Sequence, residues 1–540
     1  VEPPPIEAGQ TPPPGPYAPG FDAVHYAIAL DLRAATATPA RIEATTTIDV
    51  ALTAPRRDTL ALDFTGLRTL GVRAGDARAG STLQDVAYRH DAGRLHIAMP
   101  ANAGSGDTVR IEVRYDGTPD DALVIRDNVH GVRTAFADNW PNRARFWFPS
   151  IDHPGDKASV EFAVRAPAGW IVIANGPRAD GSAPTAPPAD GVWRFAGTEP
   201  IPTYTMVIGA GPLTQTLIDE CADGAGKCVP TRLYTFAPDS ARAWPSFARA
   251  GEMLAYYSDL IAPFPYAKLD HAQSATRFGG MENVGAIFYS ENAIANGRDI
   301  EGTVAHEIVH QWFGDGVTEA DWQHLWLSEG FATYFGALFF QHTEGDDAFR
   351  ALIADDLIAY LGSEDTALPL VDTTATLVPD LFGLLNRNSY QKGALVLHML
   401  RGMLGDDAFF DGIRSYYAAH EYGTALSADL QRALEQAGGR SLETFFDQWV
   451  YSPGHPVLRV SHEYDAAADQ AVVTIVQTQP ADWPVFAFEM DLLVQTPQGD
   501  VPVTAEIDAR TTTLRVPLDG APTGVVLDPD GWLLYQEVES

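Results

Sequence analysis

The stretch Val304–Asp315, VAHEIVHQWFGD, holds residue types at a spacing that can bind a metal ion. It contains His306 and His310, with Glu307 beside the first histidine. Residues four apart project from one face of a helix, so both imidazoles can reach one zinc ion about 2 Å away. Glu307 is then placed to take a proton from a water that zinc acidifies. The same motif also arises by chance in helices that bind no metal, so further residues must decide.

A third ligand follows on the next predicted helix. Glu329, in WLSEGFATYF, is separated from His310 by eighteen residues. Two histidines and one glutamate leave one coordination position open, which is typical of catalytic rather than structural zinc sites. The competing pattern, with a third histidine after a glycine, fails because Phe313 and Gly316 occupy those places. The sequence therefore predicts His306, His310 and Glu329 as ligands of one zinc ion.

The spacing of these motifs resembles that of a known enzyme family. His-Glu-x-x-His followed by Glu within Leu-x-Glu-Gly is similar to the zinc aminopeptidases (gluzincins) that include aminopeptidase N and leukotriene hydrolase. Arg143–Val164 and WVYSPGHPVLRV extend the resemblance over almost the whole chain. It implies a zinc-dependent aminopeptidase that removes the N-terminal residue of peptides by attack of a metal-activated water. It also implies a short, three-domain, bacterial-like form of the family.

An upstream segment, RFGGMENVGAIFY, resembles the family's Gly-x-Met-Glu-Asn signature. Gly279, Gly280, Met281 and Glu282 match it, with Gly280 where alanine is commonest. The resemblance implies that this strand contacts the substrate and that Glu282 binds its free α-ammonium. A buried carboxylate there would fix how far a peptide enters, so that only its first residue passes the zinc.

A downstream segment, NSYQKGALVLHML, resembles the family's Tyr-x-Lys-Gly segment. It places Tyr390 sixty-one residues after Glu329. The resemblance implies that the phenol hydrogen-bonds the oxyanion of the tetrahedral intermediate. Without the resemblance, Tyr390 is indistinguishable from an ordinary packed aromatic side chain.

The first substrate pocket is where the sequence departs from the family. Within FADNW, relatives usually carry a Gln or Glu that also touches the substrate amine. By ungapped spacing from Asp152, Trp140 takes that place and Asp138 lies two residues before it. Asp138 is a candidate for the missing contact. Trp140 and Phe278 are either walls of the pocket or core aromatics, so the side-chain preference stays open.

The elements that must position these residues follow from periodicity. Apolar and polar residues alternate in the first part of the chain, as along Ile42–Leu52, and again after YSPGHP, which predicts two β regions. Helical signals dominate between them, with Asp299 as a cap for a helix that runs through Gln311. Periodicity thus predicts a multidomain α+β chain: a Pro-rich extended arm over 1–22, an N-terminal β-sandwich over 23–212, a mostly helical zinc domain over 213–453 and a small C-terminal β-sandwich over 454–540. The family resemblance implies that the N-terminal β-sandwich is saddle-like, that the zinc domain is thermolysin-like and that the large C-terminal helical domain of many relatives is absent.

Composition narrows the class of partner and the compartment. The formal net charge is -35 over 540 residues, which disfavours nucleic acid because polyphosphate would be repelled. No apolar run approaches the roughly 18 residues that span a bilayer. We favour a disulfide between Cys221 and Cys228 over free thiols, which implies a periplasmic or extracellular location. A Pro-rich start without Met fits a secreted protein whose leader was removed, although a trimmed chain would look the same.

Three alternative functions stay open beside the aminopeptidase. An endopeptidase with the same ligands would cleave peptides with a blocked amino-terminus, whereas an aminopeptidase would not. An epoxide hydrolase activity, as one relative has, is compatible with the general motifs. A non-catalytic peptide-binding protein would show a damaged site residue, yet the chain retains the whole set: His306, Glu307, His310, Glu329 and Tyr390.

Overall fold

The computed structural model describes residues 17–54, 58–91, 93–372 and 381–539. Residues 1–16 of the predicted Pro-rich arm lie outside the described residues. The described chain divides into two compact units. We call residues 17–322 with 417–426 the N-terminal unit, and residues 323–416 with 427–539 the C-terminal unit. The domain boundaries at residues 213 and 454 stay predictions.

Alternating apolar and polar residues build the first β region, in the N-terminal unit. Along Ile42–Leu52 every second side chain is buried, because one face of the strand packs on the core. The strands are β1 Phe21–Asp31, β2 Ile42–Leu52, β3 Thr59–Asp63, β4 Arg68–Asp76, β5 Gln84–Asp85, β6 Tyr88–Asp91, β7 Arg94–Ala98, β8 Thr108–Gly117, β9 Leu123–Asp127, β10 Arg133–Ala137, β11 Lys157–Arg165, β12 Ile171–Ala174, β13 Trp193–Pro202 and β14 Ile208–Gly211. They form three sheets, in the orders β13-β11-β1-β2-β8-β4-β5, β12-β14-β10-β9 and β3-β7-β6.

A mixed sheet and four helices complete the N-terminal unit. The strands are β15 Leu213–Asp223, β16 Cys228–Phe236, β17 Leu269–Ser274, β18 Gly280–Met281, β19 Ala286–Ser290, β20 Thr318–Glu319 and β21 Thr424–Ala425. The helices are α1 Ser240–Phe247, α2 Ala250–Leu260, α3 Glu291–Ala295 and α4 Glu301–Val309. The five-stranded sheet has the order β15-β16-β17-β19-β18, and β20 pairs with β21. Strand β18 is thus an edge strand.

Helices dominate the chain between residues 326 and 449. They are α5 Trp326–Glu344, α6 Asp346–Leu361, a π-helical turn Asn388–Lys392, α7 Gly393–Leu404, α8 Asp406–His420, α9 Ser427–Gly438 and α10 Glu443–Trp449. Helix α5 ends where the sequence predicts, because Gly345 adopts φ +95°, a conformation that favours glycine. Short 3-10 helices lie at Arg33–Thr36, Ala144–Phe146, Thr203–Thr205, Ala237–Asp239, Trp322–His324, Glu364–Ala367 and Leu381–Leu384.

A small β-sandwich closes the C-terminal unit. Its strands are β22 Val457–Asp465, β23 Gln470–Gln477, β24 Phe488–Gln495, β25 Val501–Ile507, β26 Thr511–Pro517, β27 Gly524–Leu527 and β28 Gln536–Val538. They form two sheets, β26-β23-β22-β28 and β25-β24-β27, which share one apolar core that includes Val473, Ile475 and Leu492. The predicted fold class is confirmed: a β-rich N-terminal part, a helical part and a C-terminal β-sandwich.

The predicted disulfide closes a hairpin. Strands β15 and β16 pair antiparallel, and Cys221 and Cys228 are bonded with their Cα atoms 4.6 Å apart. A disulfide is typical of proteins in oxidising compartments. Among the described helices, none combines the length and the apolar character that a bilayer crossing requires.

Candidate active site

Helix α4 positions the two predicted histidine ligands. At its start, Asp299 Oδ1 accepts a hydrogen bond from Glu301 N at 3.0 Å, and Glu301 occupies the first turn, where a carboxylate is favoured. The sequence predicts that this helix runs through Gln311, but it ends at Val309, one residue before His310. His310 N nevertheless bonds His306 O at 3.3 Å, so the four-residue spacing of the two rings is preserved.

The two imidazole rings converge on one point. Nε2 of His306 and Nε2 of His310 lie 3.0 Å apart. His310 Nδ1 lies 3.0 Å from the carbonyl oxygen of Phe313, so Nδ1 donates its hydrogen to that oxygen. The lone pair of Nε2 is then available to bind a metal ion. Two nitrogens on one tetrahedral zinc ion at about 2.0–2.1 Å stand roughly 3.3 Å apart. The separation of the two nitrogens therefore fits a shared metal ion.

Two buried carboxylates lie beside the histidine pair. Ligand atoms of Glu282, Glu307 and His310 all lie within 4.8 Å of one another. Each glutamate is 5% exposed. Glu307 belongs to α4, and Glu282 directly follows β18. Within the N-terminal unit, the fold thus brings together His306, His310, Glu307 and Glu282, as the sequence predicts.

Gly280 allows β18 to approach Glu307 closely. A Cβ atom built on Gly280 would overlap with the carboxylate of Glu307. Gly280 and Met281 form the two-residue edge strand, which pairs antiparallel with β19, and Gly279 is exposed just before it. The glycine found where the resemblance implies alanine therefore leaves room for the Glu307 carboxylate.

Asp315 and Lys157 add two ionisable side chains to this region, and no sequence motif points to either residue. Asp315 is fully buried; burial raises its pKa well above the ordinary value, and the nearby Glu282 raises it further. Lys157 Nζ donates to the carbonyl oxygens of Asp315 and Gly316 at 2.8 and 3.1 Å. Burial lowers the pKa of Lys157 to about 7. These contacts fasten the turn that follows α4.

In the C-terminal unit, Glu329 and Tyr390 contact each other. Glu329 lies in the first turn of α5 and is 5% exposed. Tyr390 Oη donates a hydrogen bond to Glu329 Oε1 at 2.9 Å. Tyr390 belongs to the π-helical turn, in which Lys392 N bonds Arg387 O at 2.9 Å. Such turns are rare and occur frequently at functional sites.

A pair of glycines lets the Glu329 and Tyr390 segments approach closely. Gly330 follows Glu329 on α5, and Gly393 begins α7. A Cβ built on Gly330 would lie 2.8 Å from Gly393 Cα, and one built on Gly393 would lie 2.9 Å from Gly330 Cα. Carbon atoms do not pack at such distances, so this separation of the two backbones requires glycine at both positions. The pair explains how the Tyr390 hydroxyl reaches Glu329.

The candidates for the first pocket lie in the N-terminal unit. Asp138 is 2% exposed, and its carboxylate pairs with Arg143 at 2.7 Å and Arg277 at 3.4 Å. The rings of Trp140 and Phe278 pack edge to face, with centroids 6.0 Å apart. The fold therefore brings the two aromatic candidates together and engages Asp138 with two guanidinium groups.

Two family models match the chain and define its class. The Peptidase M1 N-terminal domain matches residues 22–205, and the Peptidase family M1 domain matches residues 246–449. Together these ranges cover more than half of the chain. The chain belongs to peptidase family M1, which confirms the resemblance inferred from the motifs.

Named relatives and a solved structure are similar to this chain. It is 30% identical over 362 residues to aminopeptidase N of Streptomyces lividans, covering 63% of this chain and 40% of the relative. It is 29% identical to glutamyl aminopeptidase of Bos taurus, covering 61% of this chain and 35% of the relative. The chain thus spans about two fifths of the length of the curated relatives it matches. An M1 zinc metallopeptidase from Deinococcus radiodurans superposes with a TM-score of 0.68 at 26% identity, over 80% of this chain and 93% of that one.

Proposed function

We propose that this chain is a zinc-dependent aminopeptidase that removes the N-terminal residue of peptides. One observation carries the proposal: the Nε2 atoms of His306 and His310 converge to 3.0 Å beside the buried carboxylates of Glu307 and Glu282. Membership of peptidase family M1 supports the class of reaction. The names of the relatives, aminopeptidase N and glutamyl aminopeptidase, support an attack on chain ends.

His306, His310 and Glu329 are the residues that would hold one zinc ion. Two imidazoles and one carboxylate form a donor set that catalytic zinc sites use. When bound, zinc supplies Lewis acidity, which polarises a carbonyl and acidifies water. The Phe313 carbonyl orients His310, and the Tyr390 hydroxyl orients Glu329; contacts of this kind fix metal ligands in place.

Glu307 is the proposed general base. Its carboxylate takes a proton from the attacking water and later gives that proton to the leaving amine. The position of Glu307 on α4, next to His306, supports this role. Its burial supports it as well, because electrostatic interactions are stronger where water is excluded.

Glu282 is the proposed partner of the substrate's α-ammonium. A buried carboxylate binds a cation strongly and fixes its position, so it would hold the first carbonyl at the metal. Glu282 follows edge strand β18, and Gly279, Gly280 and Met281 are proposed to contact the substrate through their backbone. An edge strand supports this role, because an extended peptide can add to it as a further strand.

Tyr390 is the proposed donor to the oxyanion. Its hydroxyl donates to Glu329 Oε1 at 2.9 Å, so it is already directed at a carboxyl oxygen. During the reaction it would donate to the former carbonyl oxygen, where negative charge develops. Trp140 and Phe278 are proposed as walls of the first pocket, with Asp138, held by Arg143, at its border.

The proposed substrates are peptides with a free amino-terminus, and the net charge of -35 argues against nucleic acid as a partner. The disulfide between Cys221 and Cys228 supports a periplasmic or secreted location, since such bonds persist in oxidising compartments.

The proposed mechanism is tested by Glu307→Gln. This variant should keep its zinc and lose turnover of aminoacyl chromogenic amides by roughly 10²–10⁴-fold, the usual contribution of a general base. Glu301→Gln, the same change on the same helix, is the control and should stay near wild type. Near-wild-type turnover by Glu307→Gln would overturn the mechanism.

Two further assays test the metal and the exopeptidase specificity. A chelator should abolish the wild-type activity, and added zinc should restore it. An N-acetylated substrate should resist cleavage because Glu282 then has no cation to bind. Rapid cleavage of that substrate would instead indicate an endopeptidase.

A further inference from the structure

Gln311, which directly follows His310, has a side chain that joins two separate segments. It is 0% exposed, and its amide makes three hydrogen bonds. Oε1 accepts from Gly285 N at 2.8 Å. Nε2 donates to the carbonyl oxygen of Glu282 and to Asp315 Oδ2, both at 2.8 Å. The acceptor and both donors of the amide are thus used, and only one orientation of the amide satisfies all three.

The segment joined on one side carries Glu282. The amide holds the carbonyl of Glu282 and the N–H of Gly285, so it fixes the backbone at both ends of a four-residue segment. Gly285 adopts φ +61°, which favours glycine, and its N–H would be left buried without this acceptor. The side chain of Gln311 therefore holds the backbone on both sides of the turn through which Glu282 leaves the edge strand.

The turn joined on the other side is fastened to His310. Asp315 N bonds His310 O at 3.0 Å, and His310 Nδ1 donates to Phe313 O at 3.0 Å. Lys157 Nζ donates to the carbonyl oxygen of Asp315 at 2.8 Å. Because this turn is held by several bonds, a displacement between the two segments has to break the bonds of Gln311.

We propose that Gln311 is a positioning residue that sets the separation between Glu282 and His310, and so determines that substrates are engaged by their amino-terminus. The inference rests on the proposed function, in which Glu282 binds the ammonium and His310 binds zinc. In this proposal Gln311 contacts neither the α-ammonium of the substrate nor the peptide bond that is cut. It acts by fixing the distance from the bound ammonium to the bond that is cut, which is the quantity that separates exopeptidase from endopeptidase cleavage.

Gln311→Met tests this role, because methionine has a similar length but no hydrogen-bonding amide. Gln273→Met is the matched control. Gln273 is also 0% exposed, on β17, where its Oε1 accepts from Phe236 N at 2.9 Å and its Nε2 donates to Asp239 Oδ2 at 2.7 Å. Both variants lose a buried bridging amide within the N-terminal unit, so their melting temperatures should fall by similar amounts.

Only Gln311→Met should change recognition of the amine. We expect KM for a free-amine aminoacyl amide to rise about tenfold, kcat to change by less than about threefold, and the preference over the N-acetyl substrate to fall by about the KM factor. Zinc affinity, measured by competition with a chelator, should stay within about twofold of wild type. In the turnover-deficient Glu307→Gln background, calorimetry should show the Kd of the same amide rising by about tenfold as well.

The outcomes separate the inference from the function on which it rests. If wild type is active but Gln311→Met behaves like Gln273→Met in KM, kcat and Kd, the inference is wrong and the aminopeptidase stands. If wild type cleaves no aminoacyl amide, the proposed function falls and the inference with it. Should Gln311→Met fail to fold, Gln311→Glu decides, because it keeps the acceptor for Gly285 N and loses both donors; it should raise KM in the same direction.

Discussion

Each of the two units contains a glycine that lies too close to a neighbouring segment for a side chain to fit, but the atoms that a Cβ would meet differ between the two. In the N-terminal unit, a Cβ on Gly280 would meet the carboxylate of Glu307, the far end of a flexible side chain. In the C-terminal unit, a Cβ on Gly393 would meet the backbone of Gly330 at 2.9 Å. A carboxylate can rotate away, whereas two packed backbones can only separate.

This difference shows that the two units position their site residues by different physical means. In the N-terminal unit, Gln311 Nε2 donates to the Glu282 carbonyl and His310 Nδ1 donates to the Phe313 carbonyl, and these hydrogen bonds fix Glu282 and His310. In the C-terminal unit, helix packing at a glycine pair brings Tyr390 to Glu329. Hydrogen-bonded positions should tolerate small steric changes, and packed positions should not.

The largest effect in this comparison is expected at Tyr390 in the C-terminal unit, because its hydroxyl is the proposed donor to the oxyanion. Tyr390→Phe keeps the ring and removes the donor, so kcat should fall by about 10²–10³-fold with KM nearly unchanged, as for loss of an oxyanion donor. Steady-state kinetics measure this. The control is Tyr360→Phe, a buried tyrosine of the same unit whose hydroxyl lies 3.5 Å from the Gly454 carbonyl oxygen. A loss of zinc affinity with kcat preserved in the zinc-loaded enzyme would show instead that Tyr390 only holds Glu329.

A smaller effect is expected from Gly393→Ala, which tests the packed backbones directly. The added methyl group must push the two segments apart, and overpacking of this kind destabilises by about 1–3 kcal/mol. Alanine's better helix propensity offsets up to about 1 kcal/mol of this. The longer path from Tyr390 to Glu329 should lower kcat by about tenfold.

Denaturant unfolding and kinetics of Gly393→Ala measure both quantities. Gly302→Ala is the control: apart from the backbone of α4 itself, no atom of the described residues lies within 4 Å of a Cβ at this position, so only the propensity gain remains. Equal stability changes in the two variants would show that the contact between Gly330 and Gly393 is not tight.

Much of the fold could be predicted from the sequence because its signals are local. The alternation along Ile42–Leu52 and the glycine stop at Gly345 each depend on neighbouring residues, and both predicted elements are present. Helix α4 ends two residues before its predicted end at Gln311. Gln311 N bonds Ile308 O at 3.1 Å, three residues back, so the chain tightens into a turn there. Periodicity alone contains no signal for such a tightening.

The part of the candidate site that could be predicted from the sequence is the histidine pair, because the four-residue spacing of His306 and His310 places both rings on one face of a helix. Tyr390 could be singled out only through the family resemblance. Its position depends on a π-helical turn, and no pattern of neighbouring residues in the sequence predicts that turn. Gln311 was missed. Its three partners are Glu282, Gly285 and Asp315, and two of them lie more than twenty residues away, so only the folded chain shows what the amide joins.

The smallest effect is expected from Gly280→Ala, the counterpart of Gly393→Ala in the N-terminal unit. The methyl group would meet the carboxylate and the Cγ atom of Glu307 and no backbone atom among its nearest neighbours, so the Glu307 side chain has to adopt another rotamer on α4. Stability should change by less than about 0.5 kcal/mol, because a side chain and not the backbone gives way, and kcat should fall by about threefold, because the new rotamer moves the base from its preferred place.

Steady-state kinetics and denaturant unfolding measure both effects of Gly280→Ala, with Gly302→Ala as the control. They decide whether site residues are positioned by hydrogen bonds in the N-terminal unit and by backbone packing in the C-terminal unit. A loss of stability as large as that of Gly393→Ala would mean that the β18 backbone, and not the flexible end of Glu307, absorbs the methyl group. The N-terminal unit would then be packed as tightly as the C-terminal one. A small loss of kcat with unchanged stability would instead show that tight packing does not fix this region. The hydrogen bonds of Gln311 would then be what holds Glu282 in place.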